Sequence, residues 1–122
     1  MLVAAYPQLF VADIAGSCAF YERKLGFKTV FTHGEPPSYG QVRRDGAVLN
    51  LRQVDASVFD RQKREDEVWL SAYVPVKDVD ALYAEYAGSG IDFQERLVKK
   101  PWGRREFVVR DPDGNLICFG SA

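Results

Sequence analysis

A fixed order of apolar and polar positions occurs twice along the chain. Each copy begins with a strand-like apolar run that ends in the pattern Val-x-Asp, followed by isoleucine or valine. The pattern is Val11-Ala12-Asp13-Ile14 in the first copy and Val76-Lys77-Asp78-Val79 in the second, sixty-five positions later. Aspartate is a preferred N-cap residue, so we predict that a helix begins directly after each copy.

The apolar positions after each aspartate have helical spacing, and both copies then reach glycine. Gly26 can end the first helix, and Gly88-Ser89-Gly90 can end the second. The apolar stripes of the two predicted helices consist of Ile14, Cys18, Tyr21 and Leu25 in the first, and Val79, Leu82, Tyr83 and Tyr86 in the second.

Three strand-like segments follow each helix, and a hairpin signal joins the last two. The signals are Asp45-Gly46 and Asp113-Gly114, sixty-eight positions apart. The pattern therefore predicts a tandem βαβββ repeat of the α+β class. We predict one domain over residues 1–122, with halves at 1–66 and 67–122. We expect one curved, eight-stranded mixed sheet with the helices on its convex face.

The alternation of side chains along the strands gives the other face of this sheet an unusual lining. In each first strand, one set of residues meets the helix and the other faces away from it. The outward set includes Tyr6 and Phe10 in the first half, and Trp69 and Tyr73 in the second. Because a solvent face is rarely so aromatic, we predict that this trough binds something or is covered by another subunit.

Composition excludes several classes of partner. Sixteen Lys and Arg against seventeen Asp and Glu leave a formal charge of −1, so neither nucleic acid nor an anionic membrane is expected as a partner. No segment is long and apolar enough to span a membrane, and Met1–Tyr6 lacks the features of a signal peptide.

Two cysteines without Cys-x-x-Cys spacing favour a reduced, cytoplasmic protein. The basic run Arg61–Arg64 is enclosed by acidic residues and is predicted to be a solvated loop.

Several motifs together resemble a known superfamily over nearly the whole chain. The chain is similar to the vicinal oxygen chelate superfamily of glyoxalases, bleomycin-resistance proteins and dioxygenases, and within it most of all to the bleomycin-resistance proteins. The segments that support this resemblance are Asp13-Ile14-Ala15-Gly16, Leu25-Gly26-Phe27, residues 80–86, Pro101-Trp102-Gly103, Arg105-Glu106-Phe107 and Asp111-Pro112-Asp113-Gly114-Asn115.

The resemblance bears on metal binding. Enzymes of the superfamily hold a divalent ion with His, Glu or Gln from four strands. The matching positions here are Tyr6, Asn50, Ser71 and Cys118. Gln8 could replace Tyr6 after a two-residue shift of register, but the other ligands would still be missing. Because these residues are poor ligands for transition metals, we expect no metal and no other cofactor.

Other candidate chemistry is limited. The single histidine, His33, is predicted to lie in a polar turn, where we do not expect it to bind a metal. Cys118 has no basic neighbour in sequence and is expected to be a buried thiol. Arg105 and Glu106 could form an acid–base pair, although alternation along an exposed strand explains them equally well.

The resemblance implies a binding protein that is not an enzyme. In bleomycin-resistance proteins, a homodimer forms aromatic clefts that hold the antibiotic unaltered and so confer resistance. We predict a metal-free homodimer that sequesters a planar, antibiotic-like aromatic ligand. The matched cleft positions are Phe31, Tyr39, Tyr73 and Trp102, to which we add Asn50 and Trp69 from the trough as predicted ligand-binding residues.

Two alternatives stay open at this point. One is a metal-dependent lyase or oxidoreductase of the glyoxalase or dioxygenase type, with an unrecognised ligand set. The other is a catalytically silent module whose trough a partner chain covers. The family's binders are strongly acidic, whereas this chain is nearly neutral and carries Arg43, Arg44 and Arg52 near the trough. A less cationic ligand, or even an anionic one, is therefore compatible with the sequence.

Overall fold

A computed structural model describes residues 1–122 and contains eight strands and three helices. The chain divides into two compact units, Met1–Val58 and Phe59–Ala122, and each unit contains one four-stranded sheet. The tandem βαβββ arrangement predicted from the repeat is confirmed. None of the three helices is long and apolar enough to cross a membrane.

The first unit places one helix against a sheet of order β1-β4-β3-β2. Strand β1 pairs with β4 in parallel, and the other two pairs are antiparallel. Helix α1 begins after Asp13 and ends at Gly26, whose φ of 74° is the left-handed conformation that favours glycine. The predicted stripe of α1 is buried. The elements are β1 Gln8–Val11, α1 Ile14–Leu25, β2 Lys28–His33, β3 Tyr39–Arg44 and β4 Ala47–Gln53.

The second unit repeats this plan in the order β5-β8-β7-β6, with a parallel β5–β8 pair. Asp78 caps helix α3 by accepting a hydrogen bond from the Ala81 amide at 3.1 Å. An aromatic core lies under this helix, where the Phe107 ring stacks on Phe119 and meets Tyr86 edge-on. The elements are α2 Arg61–Glu67, β5 Ala72–Val76, α3 Val79–Ala87, β6 Phe93–Lys99, β7 Arg105–Arg110 and β8 Leu116–Ser121.

Strand register shows that the two halves are structurally equivalent. Gln8 pairs with Asn50 in the first unit, and Tyr73 pairs with Cys118 in the second. The first members of these pairs are sixty-five positions apart, and the second members are sixty-eight apart. These are the two offsets of the sequence repeat, so the repeat preserves the register of the parallel strand pair.

The expectation of a single eight-stranded sheet needs correction, because the strands form two sheets of four. In each unit the parallel pair brings the first strand beside the last one. All of the strand pairs therefore lie within one four-stranded sheet or the other.

The solvated loop predicted around Arg61–Arg64 is also wrong, because Arg61–Glu67 forms helix α2. Asp60 accepts a hydrogen bond from the Lys63 amide at 3.0 Å, which is an N-cap. Arg64 is buried, so this short helix has a packed side. The charge run is a solvated face of a helix and not a loop.

Candidate functional site

The face of the first sheet that points away from α1 forms what we call the first open face. Asn50 and Gln41 are direct strand partners, and Gln8 lies on the other side of Asn50. The strands contribute Gln8 and Phe10 from β1; Lys28, Phe31 and His33 from β2; Tyr39, Gln41 and Arg43 from β3; and Asn50 and Arg52 from β4.

Three of the predicted ligand-binding residues lie together on this face. The rings of Phe31 and Tyr39 are 6.1 Å apart between centroids and tilted by 34°, and Phe31 is 42% exposed. Beside them, Gln41 Nε2 donates to Asn50 Oδ1 at 2.9 Å. Tyr39 is also the direct strand partner of Arg52. The first open face therefore offers an aromatic pair, an amide pair and a guanidinium group.

The second sheet has a corresponding second open face, which points away from α3 and includes Tyr73, Glu106 and Cys118. Glu106 is the strand partner of Gly120 and is only 5% exposed. One carboxylate oxygen, Oε2, accepts hydrogen bonds from Tyr73 Oη at 2.8 Å and from Trp102 Nε1 at 3.1 Å. The structure thus joins two predicted ligand-binding residues through a shared carboxylate.

Gly120 makes room for this arrangement. A Cβ atom at this position would lie 2.1 Å from Tyr73 Oη and 2.8 Å from Cζ of the same ring. The phenol therefore crosses the sheet over the glycine to reach Glu106. A glycine inside a strand often marks such a close approach, and this was the available sequence signal for it.

Trp102 is 64% exposed and lies in the turn between β6 and β7. Its indole N–H is held by Glu106, and the Lys100 ammonium lies 5.8 Å from the ring centroid. Tyr73 is 39% exposed. Neither ring is part of the chain's packed core, and both have their polar edge fixed.

Trp69 lies apart from these residues. It follows α2 rather than belonging to a strand, because β5 begins only at Ala72, and its ring lies 5.6 Å from the Lys63 ammonium. Two residues after Trp69, the Ser71 amide donates a hydrogen bond to the carbonyl oxygen of Leu116, the first residue of β8. Three residues after Trp102, the Arg105 amide donates to the hydroxyl of Ser121, the last residue of β8. Trp69 and Trp102 are therefore near opposite ends of this strand, which at about 3.3 Å per residue spans roughly 20 Å.

Burial and the neighbouring Glu106 keep the Cys118 thiol protonated. Burial, followed by the charge of Glu106 and a hydrogen bond to it, raises the pKa of Cys118 to about 12. Burial, then the Glu106 hydrogen bond, also raises the pKa of Tyr73. Because a thiolate is the reactive form of cysteine, Cys118 is not a nucleophile near neutral pH.

Arg105 and Glu106 do not form the acid–base pair considered from the sequence. Arg105 binds Asp80 of α3 at 2.7 Å, on the helix side of the sheet, while Glu106 is on the second open face. Alternation along β7 separates the two side chains. The central role of Glu106 was missed because its partners Tyr73 and Cys118 are distant in sequence.

The positions matched to metal ligands carry poor donors for a transition metal. Register places Gln8, rather than the exposed Tyr6, beside Asn50, and Tyr73 rather than Ser71 beside Cys118. Two amides, a phenol and a protonated thiol do not fit a site for zinc or iron. Among residues 1–122, no group of three or more His, Cys, Asp and Glu could hold a metal ion.

Comparisons with known proteins agree with one another. The family model described as the Glyoxalase/Bleomycin resistance protein/Dioxygenase superfamily matches residues 3–119. Proteins called bleomycin resistance protein from Geobacillus stearothermophilus and Staphylococcus aureus are 31% identical to the chain over 140 positions, covering 97% of this chain and 96% of each relative.

Solved structures show a similar fold. The bleomycin-binding protein of bleomycin-producing Streptomyces verticillus, complexed with copper(II)-bleomycin, superposes with a TM-score of 0.77 and 25% identity, covering 100% of this chain and 98% of that one. A bleomycin-binding protein complexed with bleomycin gives a TM-score of 0.80 at 24% identity, covering 99% of each chain.

Proposed function

This chain belongs to the glyoxalase/bleomycin resistance protein/dioxygenase superfamily, and on that basis we propose that it binds a planar aromatic small molecule and sequesters it unchanged. Its relatives named bleomycin resistance protein, and the neighbours solved with bleomycin, support a glycopeptide antibiotic or a similar compound as the ligand. The proposed binding residues are Phe31, Tyr39, Asn50, Trp69, Tyr73 and Trp102.

One observation carries the proposal, namely the attachment of Tyr73 and Trp102 to the same oxygen of Glu106. Both rings hold their polar edges toward this carboxylate and remain exposed over much of their surface. Such rings are already ordered before a ligand arrives, so stacking costs little conformational entropy. Two tethered, exposed aromatic rings supply a surface suited to a planar molecule.

We also propose that binding involves neither catalysis nor metal. The protonated Cys118 thiol cannot serve as a nucleophile near neutral pH, and the matched ligand positions have unsuitable donors. The competing function is a metal-dependent lyase or oxidoreductase of the same superfamily.

Metal content separates these two functions. We expect the purified protein to retain no stoichiometric Zn, Ni, Mn or Fe after dialysis, and chelator to leave its melting temperature unchanged. Elemental analysis provides the measurement. About one such ion per chain, lost together with stability on chelation, would support the enzyme instead.

The assembly that we propose is a homodimer whose ligand cleft uses aromatic residues of both copies, as the resemblance implies. We further propose that residues 1–122 act as one functional domain and that the protein works in the cytoplasm. The two cysteines are free and buried, which is compatible with a reducing compartment.

Ligand-induced stabilisation tests the binding function directly. A ligand that binds only the folded state at one hundred times its Kd adds about 2.7 kcal/mol to the free energy of unfolding. We therefore expect at least one compound in a panel of planar aromatic antibiotics that includes bleomycin to raise the melting temperature by several degrees. If no compound in a panel of planar antibiotics stabilises the protein at millimolar concentration, sequestration is the wrong function.

A further inference from the structure

The strands of the first sheet have an uneven charge distribution. Strands β1 to β4 contain no aspartate or glutamate. Three cationic side chains, Lys28, Arg43 and Arg52, lie on the first open face. By contrast, strands β6 and β7 of the second sheet carry Glu95 and Glu106. The first open face is therefore cationic even though the chain as a whole has a formal charge of −1.

The cations of this face are not neutralised by carboxylates. Lys28, Arg43 and Arg52 are exposed, and none forms an ion pair with an Asp or Glu. Arg43 Nε donates to the backbone carbonyl oxygen of Asp45 at 3.2 Å, which leaves its charge uncompensated. The near-neutral chain also produces no large negative field that would repel an anion.

The cations lie next to groups that suit an aromatic ring. Arg52 is the direct strand partner of Tyr39, and directly opposed residues have Cβ atoms about 5 Å apart. Tyr39 in turn packs against Phe31, and the Gln41–Asn50 amide pair lies one alternation further along the same strands. A planar ring against Phe31 and Tyr39 would place an attached acidic group within reach of a guanidinium fork, which matches a carboxylate well.

We propose that the ligand of this protein is an aromatic acid, with its ring on Phe31 and Tyr39 and its anionic group at Arg52. This inference rests on the proposed function and specifies the charge of the ligand. An aromatic acid is favoured over a cationic antibiotic because exposed arginines without a carboxylate partner repel a cation bound beside them. A second copy of the chain is the competing occupant of this face.

Three matched compounds test the charge preference. Anthracene-9-carboxylate, 9-anthracenemethanol and 9-anthracenemethylamine share one ring system and are, respectively, anionic, neutral and cationic at pH 7. We expect the carboxylate to bind most tightly and the ammonium compound at least tenfold more weakly in fluorescence titrations. The preference should shrink in high salt, because the cations are exposed.

Substitution of Arg52 tests whether this residue causes the preference for the anionic compound. Arg52→Gln should weaken carboxylate binding roughly two- to fivefold, the range of one exposed charge pair, and leave the neutral alcohol unaffected. Arg23→Gln is the matched control, since it removes an equal charge from the last turn of α1. An equal effect of the two variants would contradict a local contact and indicate a field effect.

The other outcomes separate failure of the inference from failure of the function. Equal binding of the three compounds, or tighter binding of the ammonium compound, overturns the anion preference and leaves the binding function standing. Binding that weakens as protein concentration rises shows that a second copy covers the face, and overturns the inference. Absence of binding by all three compounds overturns the inference, whereas the aromatic-binding function fails only if the panel of planar antibiotics also gives no stabilisation.

Discussion

At the residue scale, Trp102 distinguishes a binding role from a packing role. It is 64% exposed, and Glu106 keeps its hydrogen bond from Tyr73 when the indole is removed. Trp102→Ala should therefore lower the free energy of unfolding by no more than about 1 kcal/mol. Truncating an aromatic anchor should weaken ligand binding by about 1–3 kcal/mol. Calorimetry and urea unfolding measure the two effects. Trp69→Phe is the control, because it leaves Trp102 as the only tryptophan, whose emission should then respond to ligand. Unchanged affinity with a large loss of stability would make Trp102 structural.

Also at the residue scale, Cys118 links stability to alkaline pH. Its pKa is raised from the ordinary thiol value of 9.0 to about 12 in the folded protein. A raised pKa means that the folded state holds the proton more tightly, so this stabilisation is complete below about pH 9 and is lost as pH rises toward 12. We expect Cys118→Ala to lose less stability than the parent between pH 8 and 11, measured as the urea midpoint at each pH. Parallel curves for the two proteins would show that the thiol does not titrate as inferred.

At the element scale, helix α2 is anchored by Arg64. Its side chain is buried and donates to the Gly114 carbonyl at 3.3 Å and to Asn115 Oδ1 at 3.0 Å, which joins the helix to the turn before β8. Arg64→Ala should cost roughly 1–3 kcal/mol, since the Gly114 carbonyl loses a buried donor. Lys63→Ala changes an exposed residue of the same helix and should stay within about 0.5 kcal/mol. Urea unfolding compares them, and similar losses would mean that α2 is not held by Arg64.

At the scale of the whole molecule, the exposed aromatic residues predict an assembly. Phe31, Tyr73 and Trp102 are each more than a third exposed in the single chain. Covering such side chains with a symmetric copy is favourable, and two-fold dimers are the commonest closed assembly. We expect multi-angle light scattering to find two 13.8 kDa chains per particle at micromolar concentration. A monomer under these conditions would remove the proposed composite cleft, although the two open faces would remain available to ligand.

Much of the fold was predictable because its information is local. The aspartates before the two repeated helices, the helical stripes and the Asp-Gly turns are signals within a few residues, and their repetition indicated the βαβββ plan. Of the two aspartates, only Asp78 accepts a capping hydrogen bond, although Asp13 also precedes a helix. Helix α2 was missed because Arg64 is stabilised by a turn about fifty residues further along the chain. Trp69 was placed in a strand because alternation over a short segment does not reveal where backbone pairing begins.

The sequence by itself determined the class of the strands and of the two repeated helices, the equivalence of the two halves and the aromatic character of several positions facing away from the helices. Periodicity and turn chemistry are properties of neighbouring residues, so they can be read along the chain. Only the tertiary structure decided that the strands form two sheets, that Glu106 joins Tyr73 to Trp102, and that Lys28 shares the first open face with Arg43 and Arg52. These features depend on strand register and on contacts between residues far apart in sequence, which local patterns do not specify.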